Sequence, residues 1–294
     1  MPVPAEVVRR IDTARSLLFV PADRPDRVGK ALAAGADGVI VDLEDAVRAA
    51  HRPAARHTVA ALAYQAADGG DALVLVRVNA FGSDDFPDDV RAAIEGRVAG
   101  IVVPKFDARD AADLDRSLSA LESLNGATQE LALVGLVETA AGMLSLSCTP
   151  DFPRRLRRLA FGAADFHADL GTAYTVKGAH AELALAMLVW ASAAARIAAP
   201  LDTPHFAIDD NAGLSAAAGR SAALGYGGKL CIHPRQVALV HAAFRIDPEQ
   251  RAWAANVLAQ WDEQADGGAG ALRVRGELVD EAMVRRARRI AAAP

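Results

Sequence analysis

The chain has 294 residues, 52% of them apolar and 23% charged, which is enough material for a sizeable core and too apolar for a disordered segment. Its formal net charge of -5 argues against a nucleic-acid surface, because clustered Lys and Arg leave such domains basic. Cys148 and Cys231 lie far apart and in no C-x-x-C pattern, so neither a zinc site nor a disulfide framework is signalled, and a reducing cytoplasm is expected. The early apolar run Leu17 to Val20 is too short for a signal peptide and the stretch Leu183 to Ala195 too short to span a bilayer, so no membrane insertion is expected.

Short apolar, β-branched runs alternate with Ala-rich amphipathic segments, the pattern of β/α units around a parallel sheet. Strands are predicted at Ser16–Pro21, Gly38–Glu44, Ala72–Val78, Gly100–Lys105, Leu131–Glu138, Arg158–Asp165, Ala199–Thr203 and Lys229–His233. Helices are predicted at Pro25–Ala34, Ala108–Ser123, Ala179–Ala195 and Gly213–Leu224, with Gly35 and Gly225 where a helix C′ residue would sit. The tail adds a helix at Glu249–Gln264, a Gly-rich hinge at Gly267–Gly270 and a final segment. The domain reading is a barrel over residues 1–235 with an extension and lid over 236–294 in the same structural unit.

Eight units could form a closed barrel or an open doubly wound sheet, and the polar residues decide between them. The predicted strands run into Asp42-Leu43-Glu44-Asp45, Arg77 and Asn79, Lys105, Glu138, Asp165 and His233-Pro234. In a TIM barrel the C-terminal strand ends converge on one site, so the sequence predicts a (β/α)8 barrel.

Glu138 and Asp165 each close an apolar run, where a carboxylate needs a partner, a proton or a cation. Two such hard oxygen ligands suit Mg2+, which takes one or two protein carboxylates. The alternative is that each pairs with a neighbouring Arg or a helix N-terminus. Arg77 could hold a dicarboxylic substrate with its guanidinium fork, or could be partnered by Asp42, Glu44 or Asp45. Three acids around one strand end exceed what solvation of a buried strand needs, so Glu44 and Asp45 are candidates to orient Arg77 or a bound water. Lys105 ends a strand where a Schiff-base lysine could stand, although the carboxylate pair offers a metal route instead. The G-x-S-x-G, G-x-G-x-x-G and Walker patterns do not occur, so hydride transfer and P-loop chemistry lose support.

The segments Arg15 to Arg27, Gly35 to Ala46, Val76 to Asn79, Val102 to Lys105, Val137 to Gly142, Phe161 to Asp165 and Gly228 to Gln236 resemble, in order, the motifs of the HpcH/HpaI aldolase and citrate lyase beta-subunit family. That resemblance implies a barrel with Mg2+ held by Glu138 and Asp165, and Arg77 on the substrate's carboxylate or keto-acid end. It implies a coenzyme A or acyl-carrier-protein thioester entering along the rim, with Glu138, Arg24, Lys30, His233 and Pro234 beside the substrate. It further implies that a lid from a neighbouring subunit brings Asp280 to the site as the acid–base residue, in a homo-oligomer expected to be a trimer.

The expected activity is a Mg2+-dependent carbon–carbon lyase cleaving or forming a hydroxydiacid thioester such as citryl-, malyl- or citramalyl-CoA. The alternatives are a metal-dependent aldolase releasing pyruvate and a catalytically silent binding subunit. The chain departs from the family pattern at Phe166-His167 and in the helix Ala184 to Ser192, which lacks an arginine near its start, and both departures bear on substrate choice.

Overall fold

Successive side chains on a strand point to opposite faces. Eight strands of this chain use that alternation to separate two apolar layers. The structure is a computed structural model and describes residues 1–62, 73–148, 152–174, 178–264, 271–274 and 277–292. Strands β1 (Ser16–Pro21), β2 (Gly38–Asp42), β3 (Leu73–Arg77), β4 (Gly100–Val103), β5 (Ala132–Val137), β6 (Leu156–Phe161), β7 (Leu201–Asp202) and β8 (Gly228–Cys231) pair in sequence order, all parallel, and close through β1 and β8. This is the predicted TIM-type barrel.

Leu17, Ile40, Leu75, Val102, Val134, Leu136, Ala160, Leu201 and Leu230 form one buried cluster, the barrel interior. Their strand neighbours Leu18, Val39, Val41, Val76, Ile101, Val103, Leu133, Leu159 and Cys231 belong to a second cluster, where the helices pack. Val28, Val90, Leu114, Leu118, Leu188, Leu214 and Val240 supply the helical side of that layer. Each such aliphatic side chain contributes roughly 1.5–3 kcal/mol on burial.

The helix Ala5–Thr13, absent from the sequence reading, adds Ile11 to the interior cluster. Arg158 ties it down. This arginine is fully buried at the start of β6 and donates to the carbonyls of Ile11, Ala14, Ala199 and Pro200. Burial pushes its guanidinium down to about 10.

The sixth strand is shifted relative to expectation. It ends at Phe161, and Gly162 turns the chain into the helix Ala163–Asp169, so Asp165 stands in a helical first turn rather than at a strand end. The strands predicted to reach Glu44, Lys105, Glu138 and His233 stop short of those residues, which occupy the loops at the barrel mouth. The seventh strand shrinks to two residues, and the carbonyls of Ala199 and Pro200 just before it accept from Arg158. Gly35 and Gly225 both adopt positive φ, as expected beyond helix ends.

The chain divides into two compact units, Met1–Phe244 and Arg245–Pro294, and the helix Arg235–Ala243 falls in the first. The second unit holds the helix Pro248–Gln264, an antiparallel pair β9 (Ala271–Val274) and β10 (Glu277–Asp280), and the helix Glu281–Ala292. Ala254, Val257, Val274, Val279, Val284 and Ala287 are its core. The hinge expected at Gly267–Gly270 lies outside the described residues. Among the described residues no helix is long and apolar enough to cross a membrane.

Candidate active site

The alternation that fills the barrel also builds its mouth. Asp42, Arg77 and Glu138 each follow an interior apolar residue, Ile40, Leu75 or Leu136, by two positions, so all three point inward one layer above the packed core. Gly162 follows Ala160 by the same step and contributes no side chain. The space above the core is a cavity of about 470 Å3 lined by Phe19, Arg27, Asp42, Asp45, Arg77, Glu138, Gly162, Asp165, Thr203 and Phe206 among others.

Asp42 is 2% exposed and accepts four hydrogen bonds. Two come from the Glu44 and Ala46 N–H groups and curl the Asp-Leu-Glu-Asp loop. The other two come from Arg77, Nε to Oδ1 at 2.7 Å and Nη2 to Oδ2 at 2.5 Å. The guanidinium fork is therefore already engaged by a protein carboxylate, and the edge of Arg77 turned away from Asp42 is Nη1. That nitrogen lies 2.9 Å from Glu44 Oε2 and 3.7 Å from Asp45 Oδ2. The Glu44 contact is an ion pair by distance that lacks the alignment of a hydrogen bond. The Phe19 ring lies 5.0 Å from the guanidinium carbon. Burial works against the Arg77 charge, yet Asp42, Glu44 and Asp45 outweigh it and hold the group above its ordinary range. Asn79 steadies the same loop, its amide donating to Leu43 O and to the buried Asp89.

Glu138 is 1% exposed. Its Oε1 accepts the Lys105 N–H at 2.9 Å, while its Oε2 is buried without a hydrogen-bond partner. Burial, then the negative charges of Glu44 and Asp165, push this carboxyl up to about 8. Lys105 Nζ bonds Glu44 Oε1 at 2.9 Å. Burial opposes the Lys105 charge, but the hydrogen bond to Glu44 and the surrounding carboxylates raise it above its ordinary value. A lysine kept protonated in this way is a poor Schiff-base nucleophile.

Asp42, Glu44, Asp45, Glu138 and Asp165 gather here against Arg27, Arg77 and Lys105, an excess of carboxylate over cation. An orphaned carboxylate oxygen beside a second carboxylate, in a net acidic cavity, fits a hard divalent cation held by Glu138 and Asp165. No group of three or more His, Cys, Asp or Glu side chains suited to a metal occurs among the described residues, so any cation here would draw the rest of its oxygen shell from water or substrate.

The structure thus brings Glu44, Asp45, Arg77, Glu138 and Asp165 together. Arg24, Lys30, His233 and Pro234 are not among the lining residues. Arg24 pairs with Asp26 at 3.3 Å, Lys30 is exposed in the last turn of the helix Pro25–Leu32, and His233 Nδ1 accepts the Arg235 N–H. Asp280 belongs to the second unit, where its Oδ1 accepts the Met283 N–H at 3.0 Å and caps the helix Glu281–Ala292. Phe206 was not anticipated. It lines the cavity and ends a ladder of edge-to-face rings through Tyr174, His167 and Phe166 to Phe161. The departure at Phe166-His167 was its signal in the sequence.

Residues 15–234 match the model of the HpcH/HpaI aldolase/citrate lyase family. A citrate lyase subunit beta-like protein of Deinococcus radiodurans is 36% identical over 290 residues, covering 93% of this chain and 95% of that protein. An L-malyl-CoA/beta-methylmalyl-CoA lyase of Rhodobacter capsulatus is 33% identical over 293 residues, covering 93% and 92%. Among solved structures, the Mycobacterium tuberculosis protein CitE in complex with magnesium, acetoacetate and coenzyme A superposes with a TM-score of 0.72 at 31% identity, covering 95% of this chain and 99% of that one. With seven motifs in order, a closed barrel and an acidic mouth built from those motifs, the chain belongs to the HpcH/HpaI aldolase/citrate lyase family.

Proposed function

We propose that this protein is a Mg2+-dependent carbon–carbon lyase that cleaves, or forms by Claisen condensation, the thioester of a hydroxydiacid. The observation that carries the reading is Glu138 Oε2, buried and unpartnered in a cavity where carboxylates outnumber cations. The relatives support it. The R. capsulatus protein is a malyl-CoA/methylmalyl-CoA lyase, and the M. tuberculosis structure holds magnesium, a keto acid and coenzyme A.

In cleavage, the substrate hydroxyl gives up its proton to a base, the adjacent carbon–carbon bond breaks to release a keto acid, and the electron pair left on the thioester's α-carbon takes up a proton. Mg2+ held by Glu138 and Asp165 would supply Lewis-acid polarisation of the hydroxyl or keto oxygen. Arg77, clamped by Asp42, presents Nη1 toward the diacid part, and Glu44 and Asp45 fix its direction. The apolar wall of Phe19, Leu136, Phe206 and Leu230 limits water around the reacting carbons. Asp280 serves as proton donor to the α-carbon, delivered by another copy of the chain in a homo-oligomer, for which we propose a trimer.

A turnover screen tests this reading. Citryl, malyl and citramalyl thioesters, on coenzyme A and on an acyl carrier protein, are incubated with and without Mg2+ while free keto acid is measured. Mg2+-dependent release from at least one is expected. Release of pyruvate from a hydroxy keto acid with all thioesters inert would replace the proposal by a simple aldolase.

A further inference from the structure

Three non-glycine residues adopt positive φ among the described residues: Arg97, Lys105 and Arg196. Arg97 and Arg196 follow helix ends, whereas Lys105 stands at the barrel mouth with φ 51°. This left-handed conformation strains any L side chain and is free of strain for glycine. The turn has a geometric result. The strand ladder resumes at once with Phe106 N–H on Leu136 O, while the Lys105 N–H is diverted from the ladder onto Glu138 Oε1.

The Lys105 side chain reaches in the other direction. Its Nζ bonds Glu44 Oε1, and the opposite oxygen of Glu44 faces Arg77 Nη1. One residue therefore touches two of the carboxylates gathered at the mouth, Glu138 through its main chain and Glu44 through its ammonium. Glycine would make the first contact more cheaply and could not make the second.

We infer that Lys105 is a two-armed positioning residue: its N–H holds Glu138 by Oε1 so that Oε2 stays presented, and its Nζ holds Glu44 against Arg77. The inference rests on the cation-dependent reading of Glu138 given above, and the test keeps the two apart. In wild type, Lys105→Met, Lys105→Arg, Lys105→Gly and Lys105→Pro, the readouts are Mg2+ affinity by calorimetry, melting temperature, and kcat and KM on the thioester that turns over.

Lys105→Met keeps the N–H and loses the charge, so kcat is expected to fall at least tenfold with Mg2+ affinity within threefold of wild type. Lys105→Arg restores kcat to within threefold. Lys105→Gly relaxes the turn, melts no lower than wild type, keeps Mg2+ affinity and shares the kcat loss of Lys105→Met. Lys105→Pro lacks the N–H and cannot take positive φ, and its Mg2+ affinity is expected to weaken at least tenfold. Wild-type kcat in Lys105→Met and Lys105→Gly overturns the ammonium arm, as does failure of Lys105→Arg to recover what a folded Lys105→Met loses. Wild-type Mg2+ affinity in Lys105→Pro overturns the main-chain arm. Glu138→Ala is the control: if its Mg2+ affinity is unchanged, it is the cation site itself that fails.

Discussion

Glu138 and Gly162 are fitted to each other: a Cβ at position 162 would stand 2.5 Å from Glu138 Oε2 and 2.6 Å from its Cβ. The carboxylate occupies the volume that any other residue on β6's interior row would fill. Glycine is needed here for space, since its φ is negative.

Gly162→Ala should therefore act on the site more than on the fold. The added methyl displaces the Glu138 carboxylate, and overpacking of this kind costs about 1–3 kcal/mol. Mg2+ affinity measured by calorimetry should drop at least tenfold while urea unfolding stays cooperative. Unchanged affinity would detach Glu138 from cation binding.

Cation binding should release a proton. Without a cation the Glu138 carboxyl sits at about 8, above its ordinary 4.5, so the folded state holds a proton that the unfolded state has lost between those values. Its contribution to stability is full below pH 4.5 and is lost as the pH rises toward 8. Mg2+ must displace that proton, so its affinity should rise with pH up to about 8 and then level off. Calorimetry at three pH values in two buffers of different ionisation enthalpy measures this, and a pH-independent affinity with no buffer dependence would contradict it.

Arg77→Lys keeps a charge and loses the fork on Asp42, leaving that buried carboxylate with its two backbone donors. We expect a loss of roughly 1.5–3 kcal/mol in stability and at least a tenfold fall in kcat/KM. A stability loss with unchanged kinetics would confine Arg77 to shaping the loop.

Asp280 is exposed and already caps a helix, so its alanine variant confounds two effects. Asn caps as well as Asp and cannot donate a proton as a carboxylic acid does. Asp280→Asn should leave unfolding within about 0.5 kcal/mol of wild type and cut kcat by roughly 10²-fold or more. Mixed oligomers of Asp280→Asn and Arg77→Ala subunits should regain activity if the residue works in trans. Verified hybrids with no recovery would place it in its own subunit's site or remove it from catalysis.

Arg158→Met should destabilise the barrel without touching its mouth. The carbonyls of Ile11, Ala14 and Ala199 lose their Arg158 donor, while Pro200 O keeps the Gly227 N–H, and at about 1–3 kcal/mol for each unsatisfied acceptor the total loss should exceed about 3 kcal/mol in urea unfolding. Wild-type stability would mean that the helix Ala5–Thr13 holds on by its apolar contacts alone.

Much of this was legible in the residues themselves, because hydrophobic periodicity and strand-end polarity are local properties. The eight β/α units, the barrel and the gathering of Glu44, Asp45, Arg77, Glu138 and Asp165 all follow from runs of apolar residues that stop on charged ones. What the residues did not disclose depends on partners distant in the chain. That Asp42 rather than a substrate occupies the Arg77 fork requires β2 and β3 to be in register at Asp42 and Arg77. The position of Asp165 in a helix turns on Gly162, whose lack of a side chain matters only once Glu138, just past the end of the neighbouring strand, needs the space. The buried Arg158 reads only as the first residue of a predicted strand until the N-terminal helix offers it carbonyls. Charge and periodicity are written along one chain, whereas desolvation, register and steric room exist only between segments that folding brings together.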